Sequence, residues 1–298
     1  MKRALAVVVA LAGVAHADNP LQRPEAFDVD RDVPPPGQAE LGFDAGTPIR
    51  SWAISAQGGY IDRPLTLTTN LVVNHPVEHR ETLALGGVYP VTPNLIVDAR
   101  LPLDHQVGDR YRGLGDNQRL DRFVLGDISL GARLRLAERG RTSLFARGAL
   151  TLPSGDDHDF AGEARFTAAW NLIVRVALPA GLTIAATAGV RFRPREVQIA
   201  DRLLGDELTG GFGAIYELPG LRGLWCPENH VRATAEIVGV LGNDVAGQRG
   251  PSPAEVRVGM ASDIRSWLSI AGRVGKGIDD EIGAPRFRGM LELVYRGN

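Results

Sequence analysis

Few residues of this chain stand in a pattern that could carry out metal or catalytic chemistry. The string His75-Pro76-Val77-Glu78-His79 matches the H-x-x-E-H sequence of some zinc peptidases. That chemistry requires both His side chains on one face of a helix, where residues four apart are neighbours. Pro76 and the alternating residues on either side predict a loop instead, so we expect no zinc site here.

An acidic pattern at residues 28–32 resembles a calcium loop but departs from it at two positions. Asp28, Asp30 and Asp32 alternate in the manner of EF-hand ligands. The sixth position of such a loop requires Gly, and here it is Val33, while no Glu closes the loop. We therefore predict no metal ligands in this segment.

A hydrolytic site would need a Ser within hydrogen-bond reach of a His. Ser154, His105 and His158 all fall near the ends of polar segments, where such a pair could form. With only six His in the chain, an accidental placement is the simpler explanation. We predict no catalytic residues and no cofactor.

Arginine at alternate positions is the remaining pattern with functional meaning. Arg133 and Arg135 are two residues apart, and other Arg residues recur in the same way in several segments. A ladder of fixed positive charge along a narrow aqueous path attracts anions and repels cations. Whether these residues line such a path depends on the elements that position them.

Residues 125–178 show which elements those are. In the first part, Ile128, Leu130 and Ala132 alternate with charged or small residues, among them Asp127 and Arg133. Successive side chains of a β-strand point to opposite faces, so this pattern predicts one apolar and one charged face. The stretches 144–152 and 165–178 repeat it, joined by one tight turn and one longer polar loop.

The whole chain divides into about twelve such strands of roughly ten residues each, which is the length of a transmembrane β-strand. Short turns alternate with long polar loops, as in outer-membrane barrels. We therefore predict an all-β fold: an antiparallel transmembrane β-barrel of about 12 strands, with short periplasmic turns and long outer loops. The predicted strands are residues 52–60, 81–89, 95–103, three within 125–178, 182–193, 207–218, 230–241, 255–264, 268–277 and 286–295.

The start of the chain predicts the compartment. Lys2 and Arg3 precede a short apolar run, and Ala15-His16-Ala17 is typical of a cleavage site, so residues 1–17 are predicted to be a signal peptide. Residues 18–50 contain several Pro and lack periodicity, which predicts an irregular segment that either hangs in the periplasm or enters the lumen. Residues 51–298 form the predicted outer-membrane barrel.

Two short phrases resemble a known group of proteins. Residues 126–133, Gly-Asp-Ile-Ser-Leu-Gly-Ala-Arg, and residues 150–155, Leu-Thr-Leu-Pro-Ser-Gly, resemble the N-terminal barrel of OmpA-family proteins of myxobacteria and relatives. The resemblance implies an outer-membrane barrel, here without the peptidoglycan-binding domain. It also implies that the outer-membrane assembly machinery is a partner, although Tyr295 is followed by three residues rather than ending the last strand.

The predicted inner face carries more Arg than acidic residues. The charges of opposite sign would either pair across the interior and close it, or the excess of Arg would line a narrow pore that favours anions. The lumen-lining residues that we predict first are Arg100, Arg133, Arg135, Arg147, Arg165, Arg175, Arg191, Arg193, Asp98, Asp127 and Glu236. The further predicted inward residues are Arg232, Arg257, Arg273, Arg288, Glu217, Asp263 and Glu292.

The predicted function is therefore a non-enzymatic outer-membrane barrel, either structural or a small diffusion pore with an anion preference. The alternatives are an outer-membrane lipid-modifying enzyme and a secreted soluble β-protein. Without the signal peptide the chain keeps 31 of its 33 Lys and Arg against 35 Asp and Glu, which does not suggest nucleic acid as a partner. Expected partners are outer-membrane lipids and small solutes or anions.

Overall fold

A computed structural model describes residues 45–69, 72–109, 119–155, 161–163, 165–194, 197–199, 202–221, 230–242, 252–278 and 283–297. The predicted signal peptide, residues 18–44 of the irregular segment and His158 lie outside the described residues. No helix in the described part of the chain is long and apolar enough to cross a membrane.

Antiparallel strands make up nearly all of the described structure, because most segments alternate apolar and polar side chains over ten or more residues. In chain order they are β1 (Ala53–Thr69), β2 (Val72–Thr92), β3 (Leu95–Gly108), β4 (Leu120–Leu125), β5 (Ile128–Arg139), β6 (Thr142–Leu152), β7 (Thr167–Ala177), β8 (Leu182–Phe192), β9 (Val197–Ile199), β10 (Arg202–Leu204), β11 (Glu207–Glu217), β12 (Val231–Gly242), β13 (Ala254–Arg265), β14 (Leu268–Gly277) and β15 (Phe287–Arg296).

Twelve of these strands close into a barrel. The order around the wall is β1, β2, β3, β5, β6, β7, β8, β11, β12, β13, β14 and β15, and β15 pairs with β1 from Ala53↔Arg296 to Asp62↔Phe287. Closure satisfies the backbone hydrogen bonds of both edge strands, which an open sheet would leave exposed. The predicted antiparallel barrel of about twelve strands is confirmed.

The wall strand beside β3 is interrupted at Gly126-Asp127. β5 pairs with the first half of β3, from Leu95 to Arg100, and β4 pairs with its second half, from Leu103 to Gly108. The Gly126 amide still donates a hydrogen bond to the Pro102 carbonyl at 3.0 Å, so the interruption is short. β4 is thus the continuation of β5 toward the end of the barrel with the long loops.

The first two strands are longer than the sequence predicted. We expected strands at 52–60 and 81–89 with a loop of about twenty residues between them, but β1 and β2 have 17 and 21 residues and pair as far as Thr69↔Val72. Beyond Asp62, where the pairing of β1 with β15 ends, the two strands continue as a hairpin. Pro64 and Pro76 lie in this extension, and Pro is disfavoured inside strands, so the sequence suggested a loop.

The outer surface of the wall is apolar, and the facing prediction is confirmed. On β7, Trp170, Leu172 and Val174 are exposed, whereas Ile173 between them is fully buried. Near the ends of the wall, Trp52 and Trp267 both contact Tyr295, with ring centroids 5.8 and 5.7 Å apart. An apolar band flanked by aromatic side chains is typical of the lipid-facing surface of a membrane barrel.

Candidate functional site: the charged interior of the barrel

Because the outer face is apolar, strand alternation places most of the charged wall residues inside the barrel. The described residues include seven buried Arg and eight buried acidic residues, so the fully buried charges are nearly balanced. Buried ions are tolerated when they are paired and hydrogen-bonded. The buried set is Arg80, Asp98, Asp104, Asp127, Arg133, Arg147, Glu163, Arg193, Glu207, Glu236, Glu255, Arg257, Arg273, Arg288 and Glu292.

One part of the inner wall, formed by β12 to β15, is balanced in charge. The Glu255 carboxylate accepts hydrogen bonds from the guanidinium groups of Arg257, at 2.9 Å, and Arg288, at 3.0 Å. Glu236, a predicted lumen residue, lies 4.0 Å from Arg257. Three positive and three negative side chains therefore line this wall: Arg257, Arg273 and Arg288 against Glu236, Glu255 and Glu292.

The facing part of the wall, on β3, β5, β6 and β7, is more basic. Asp98 binds Arg147 through two parallel hydrogen bonds of 2.6 and 2.8 Å, the arrangement in which an Arg–carboxylate pair is strongest. Arg133 lies directly opposite Arg147 in the β5–β6 register, where two like charges repel. Arg100 and Arg175 complete this group as half-buried residues.

A short segment that precedes β1 runs along this basic wall inside the barrel. We call residues 45–49 the strap. The Arg133 guanidinium donates a hydrogen bond to the Thr47 carbonyl, and Arg175 lies 3.4 Å from both the Ala45 carbonyl and the Thr47 hydroxyl. The prediction that residues 18–50 form one irregular segment stays a prediction, since residues 18–44 lie outside the described residues. Residues 45–49 lie in the lumen.

The strap is fitted closely to the wall at Gly46. Its φ is +66°, and a Cβ built on it would lie 2.6 Å from the ring of Phe145, a buried residue of β6. Any larger residue would meet both the ring and an unfavourable backbone conformation. The same ring lies 5.1 Å from the Arg133 guanidinium in a cation–π contact, so Phe145 holds Arg133 and the strap together.

At the opposite, long-loop end, Asp127 holds the segment that follows β6. Its carboxylate accepts hydrogen bonds from the backbone amides of Ser154, Gly155 and Glu163, at 3.1, 2.8 and 2.7 Å. The Ser154 hydroxyl in turn accepts the Ile128 amide at 2.8 Å. The two phrases that resemble OmpA-family barrels therefore meet in space, and their polar residues fix a loop rather than line the channel.

That loop carries an acidic side chain into the interior. Glu163 is buried and accepts a hydrogen bond from Arg193 at 3.1 Å. Arg193 also lies 2.9 Å from Glu207, which is 3.5 Å from Arg191. The long-loop end of the lumen is therefore narrowed by a network of two Arg and two Glu residues.

Two of the predicted residues lie at the margins. Arg135 is half-buried at the short-turn end, where it binds Asn94 at 2.7 Å and also Glu138, so it belongs to the rim rather than to the interior. Arg165 is half-buried and precedes β7 instead of lying within it. Neither residue contributes to the buried wall.

The sequence underestimated the acidic side chains of the interior. Asp104, Glu163, Glu207 and Glu255 are all buried inside and were absent from the predicted inward set. Asp104 lies just after a predicted strand, in a predicted loop, and Glu207 is the first residue of another predicted strand. At such positions the alternating pattern does not predict whether a side chain points into the lumen or outward. The predicted twofold excess of Arg over acids is therefore too large, and the local excess on β3, β5, β6 and β7 is what remains.

The two residue patterns that suggested enzymes have structural roles. His75 and His79 lie in β2, not in a loop, and residues four apart on a strand are about 13 Å apart along its axis. The Ser154 hydroxyl binds only backbone groups, and His105 binds Asp121 at 3.2 Å. Within the described residues, no group of three or more His, Cys, Asp and Glu could hold a metal ion.

The chain matches no protein family model and no curated protein. It is similar in structure to an outer membrane channel from Pseudomonas putida F1, at 16% identity over 87% of this chain and 98% of that chain, with a TM-score of 0.57. The NanC porin is 5% identical over 82% of this chain and 100% of its own, with a TM-score of 0.52. At these identities the similarity shows the fold alone, which is that of outer-membrane β-barrels.

Proposed function

We propose that this protein is an integral outer-membrane barrel that acts as a narrow diffusion channel for small solutes and prefers anions. The observation that carries the proposal is a closed barrel whose outer face is apolar and whose inner face is charged. A secreted soluble β-protein would expose its polar face to water and bury its apolar one. Here the opposite arrangement favours lipid outside and water inside.

The proposed orientation places the short turns in the periplasm and the long loops outside the cell. Trp52, Trp267 and Tyr295 cluster at the short-turn end, where their rings would sit at the inner lipid–water interface. Outer-membrane lipids and the assembly machinery are the expected partners. The kinship with OmpA-family barrels stays a prediction, carried by residues 126–133 and 150–155 alone.

The anion preference rests on the unequal charge of the two facing walls. On the inner face of β3, β5, β6 and β7, four Arg residues, Arg100, Arg133, Arg147 and Arg175, stand against two acidic residues, Asp98 and Asp104. On the opposite wall, the buried side chains comprise three Arg and three Glu residues. A solute passing between them meets a net positive field on one side, which concentrates anions in the narrow path.

Ion selectivity in a planar lipid bilayer tests this proposal. We expect single-channel currents whose reversal potential under a salt gradient indicates anions, and a shift toward cations in Arg175→Glu. Arg139→Glu, at the exposed end of β5, is the matched control and should leave the reversal potential unchanged. Cation-selective currents, or equal shifts in both variants, would contradict the assignment of the basic wall, and absence of current would favour a closed structural barrel.

A further inference from the structure

Near the short-turn end, the strap passes through the lumen along the basic wall, from β8 and β11 to the wall around β1. At one end, Ala45 is buried in a cluster with Ala185 of β8 and Ile215 of β11. At the other end, Ile49 packs against a cluster on the far wall, and β1 begins four residues later. The members of this second cluster are Ala53, Val88, Ile96, Ala261, Ala271 and Val294.

Such a crossing obstructs diffusion through the lumen. A barrel of eight strands is filled by its own side chains, and one of sixteen leaves an aqueous channel. With twelve wall strands, one extended segment across the interior takes up a large share of the open cross-section. A solute that passes the short-turn end must therefore pass or move the strap.

The hydrogen bonds from Arg133 and Arg175 to the strap are of a kind that a solute can replace. Their acceptors are the Ala45 and Thr47 carbonyls and the Thr47 hydroxyl, which are neutral oxygens. A guanidinium group often binds a carboxylate or phosphate through two parallel hydrogen bonds, which add energy and geometric specificity that a single neutral carbonyl oxygen does not offer. The like-charged neighbour Arg147, opposite Arg133, increases this preference for an anion.

We propose that Arg133 and Arg175 form a binding subsite for oxyanions, that the strap occupies this subsite in the resting channel, and that an oxyanion solute displaces the strap. This inference rests on the proposed function, because it names the class of anion that the channel admits and the residues that recognise it. The strap oxygens stand where the oxygens of a carboxylate or phosphate bind. The channel is then opened by the solutes that it conducts.

The test is the reactivity of a thiol on the strap. Ala45→Cys in a Cys226→Ser background places one thiol in the chain at a residue that is 1% exposed. In detergent micelles we expect slow modification by a charged methanethiosulfonate reagent, followed by mass spectrometry, and at least a tenfold faster reaction in saturating sodium phosphate. Sodium chloride of equal ionic strength should not accelerate the reaction.

Two Arg variants in this background identify the subsite. Arg133→Gln should make the thiol react rapidly without phosphate and remove the phosphate effect, with Arg175→Gln as a second variant if the first does not show heat-modifiable migration. Arg135→Gln, two residues along the same strand face but bound at the rim, is the matched control and should behave like the parent. Repeating the series in sodium acetate distinguishes a subsite for carboxylates from one for phosphates.

Two results with the Ala45→Cys, Cys226→Ser parent overturn the inference: a thiol that reacts rapidly without phosphate, and a thiol that reacts slowly at every phosphate concentration. Equal acceleration by chloride, or a full phosphate effect in both Arg133→Gln and Arg175→Gln, overturns it as well. These measurements of thiol reactivity do not depend on ion current through the barrel. Phosphate-driven exposure of the thiol without bilayer conductance refutes the proposed function alone, whereas an anion-selective current with an unresponsive strap refutes the strap inference alone.

Discussion

At the scale of single residues, the interior depends on pairs of opposite charge rather than on separate Arg residues. Asp98 and Arg147 illustrate this, since both are buried and joined by two hydrogen bonds. Arg135 and Glu138 form a pair of the same type at the rim, where the carboxylate side chain is 52% exposed. The two pairs differ in solvent access, and this difference predicts how much each stabilises the fold.

We expect Asp98→Asn to lower the free energy of unfolding by about 3–5 kcal/mol, because it leaves the Arg147 charge buried without its carboxylate. Glu138→Gln should lower it by about 1 kcal/mol or less, since an exposed pair gains little in water. Urea unfolding of the barrel in lipid vesicles measures both. Equal losses in the two variants would mean that the Asp98 carboxylate is solvated.

At the scale of elements, the junction of β4 and β5 has a clear physical role. The interruption at Gly126-Asp127 takes Asp127 out of the strand ladder, and its carboxylate then accepts three backbone amides of the loop after β6. A carboxylate that accepts hydrogen bonds from several backbone amides replaces the water molecules to which those amides would otherwise donate. One side chain thereby fixes a loop that carries Glu163 into the lumen.

Asp127→Ala should release this loop while leaving the wall intact. Amide hydrogen exchange at Ser154, Gly155 and Glu163 should become at least tenfold faster, because their acceptor is lost. Asp121→Ala, an exposed residue of β4, should leave the exchange of those amides unchanged. Slow exchange in Asp127→Ala would show that other contacts hold the loop.

At the scale of the whole molecule, the barrel separates lipid outside from charge inside, and single substitutions can test this division. Leu172→Arg on the outer face of β7 should cost about 2–4 kcal/mol if the residue lies near the middle of the bilayer. Thr187→Arg is its control, since Thr187 lies in β8, beside Ile173 in the register, and is half-buried. Unfolding in lipid vesicles compares the two, and equal costs would contradict the proposed membrane face.

The orientation of the barrel predicts which residues a reagent reaches from outside the cell. In a Cys226→Ser background, Asp121→Cys should react on intact cells with a thiol reagent that does not cross membranes. Arg139→Cys, at the end of β5 beside the turn to β6, should react only after the outer membrane is permeabilised. The reverse preference would invert the proposed topology.

The sequence by itself determined the wall of this protein. Alternation has a period of two residues, so Ile128, Leu130 and Ala132 on one face and Arg133 on the other can be assigned without any knowledge of distant residues. About twelve strands and their facing followed from this local pattern. The hairpin extension of β1 and β2 was missed because it contains Pro64 and Pro76, which are typical of loops and not of strand interiors.

Only the tertiary structure decided what fills the lumen. The strap, the Asp127 contacts and the pair of Glu163 with Arg193 join residues that are far apart in sequence and become neighbours only when the strands between them pair into the wall. No periodic pattern marks such contacts, because each depends on the register of several strands at once. The strap in particular lacks periodicity, so its place across the interior follows from the closed wall that surrounds it.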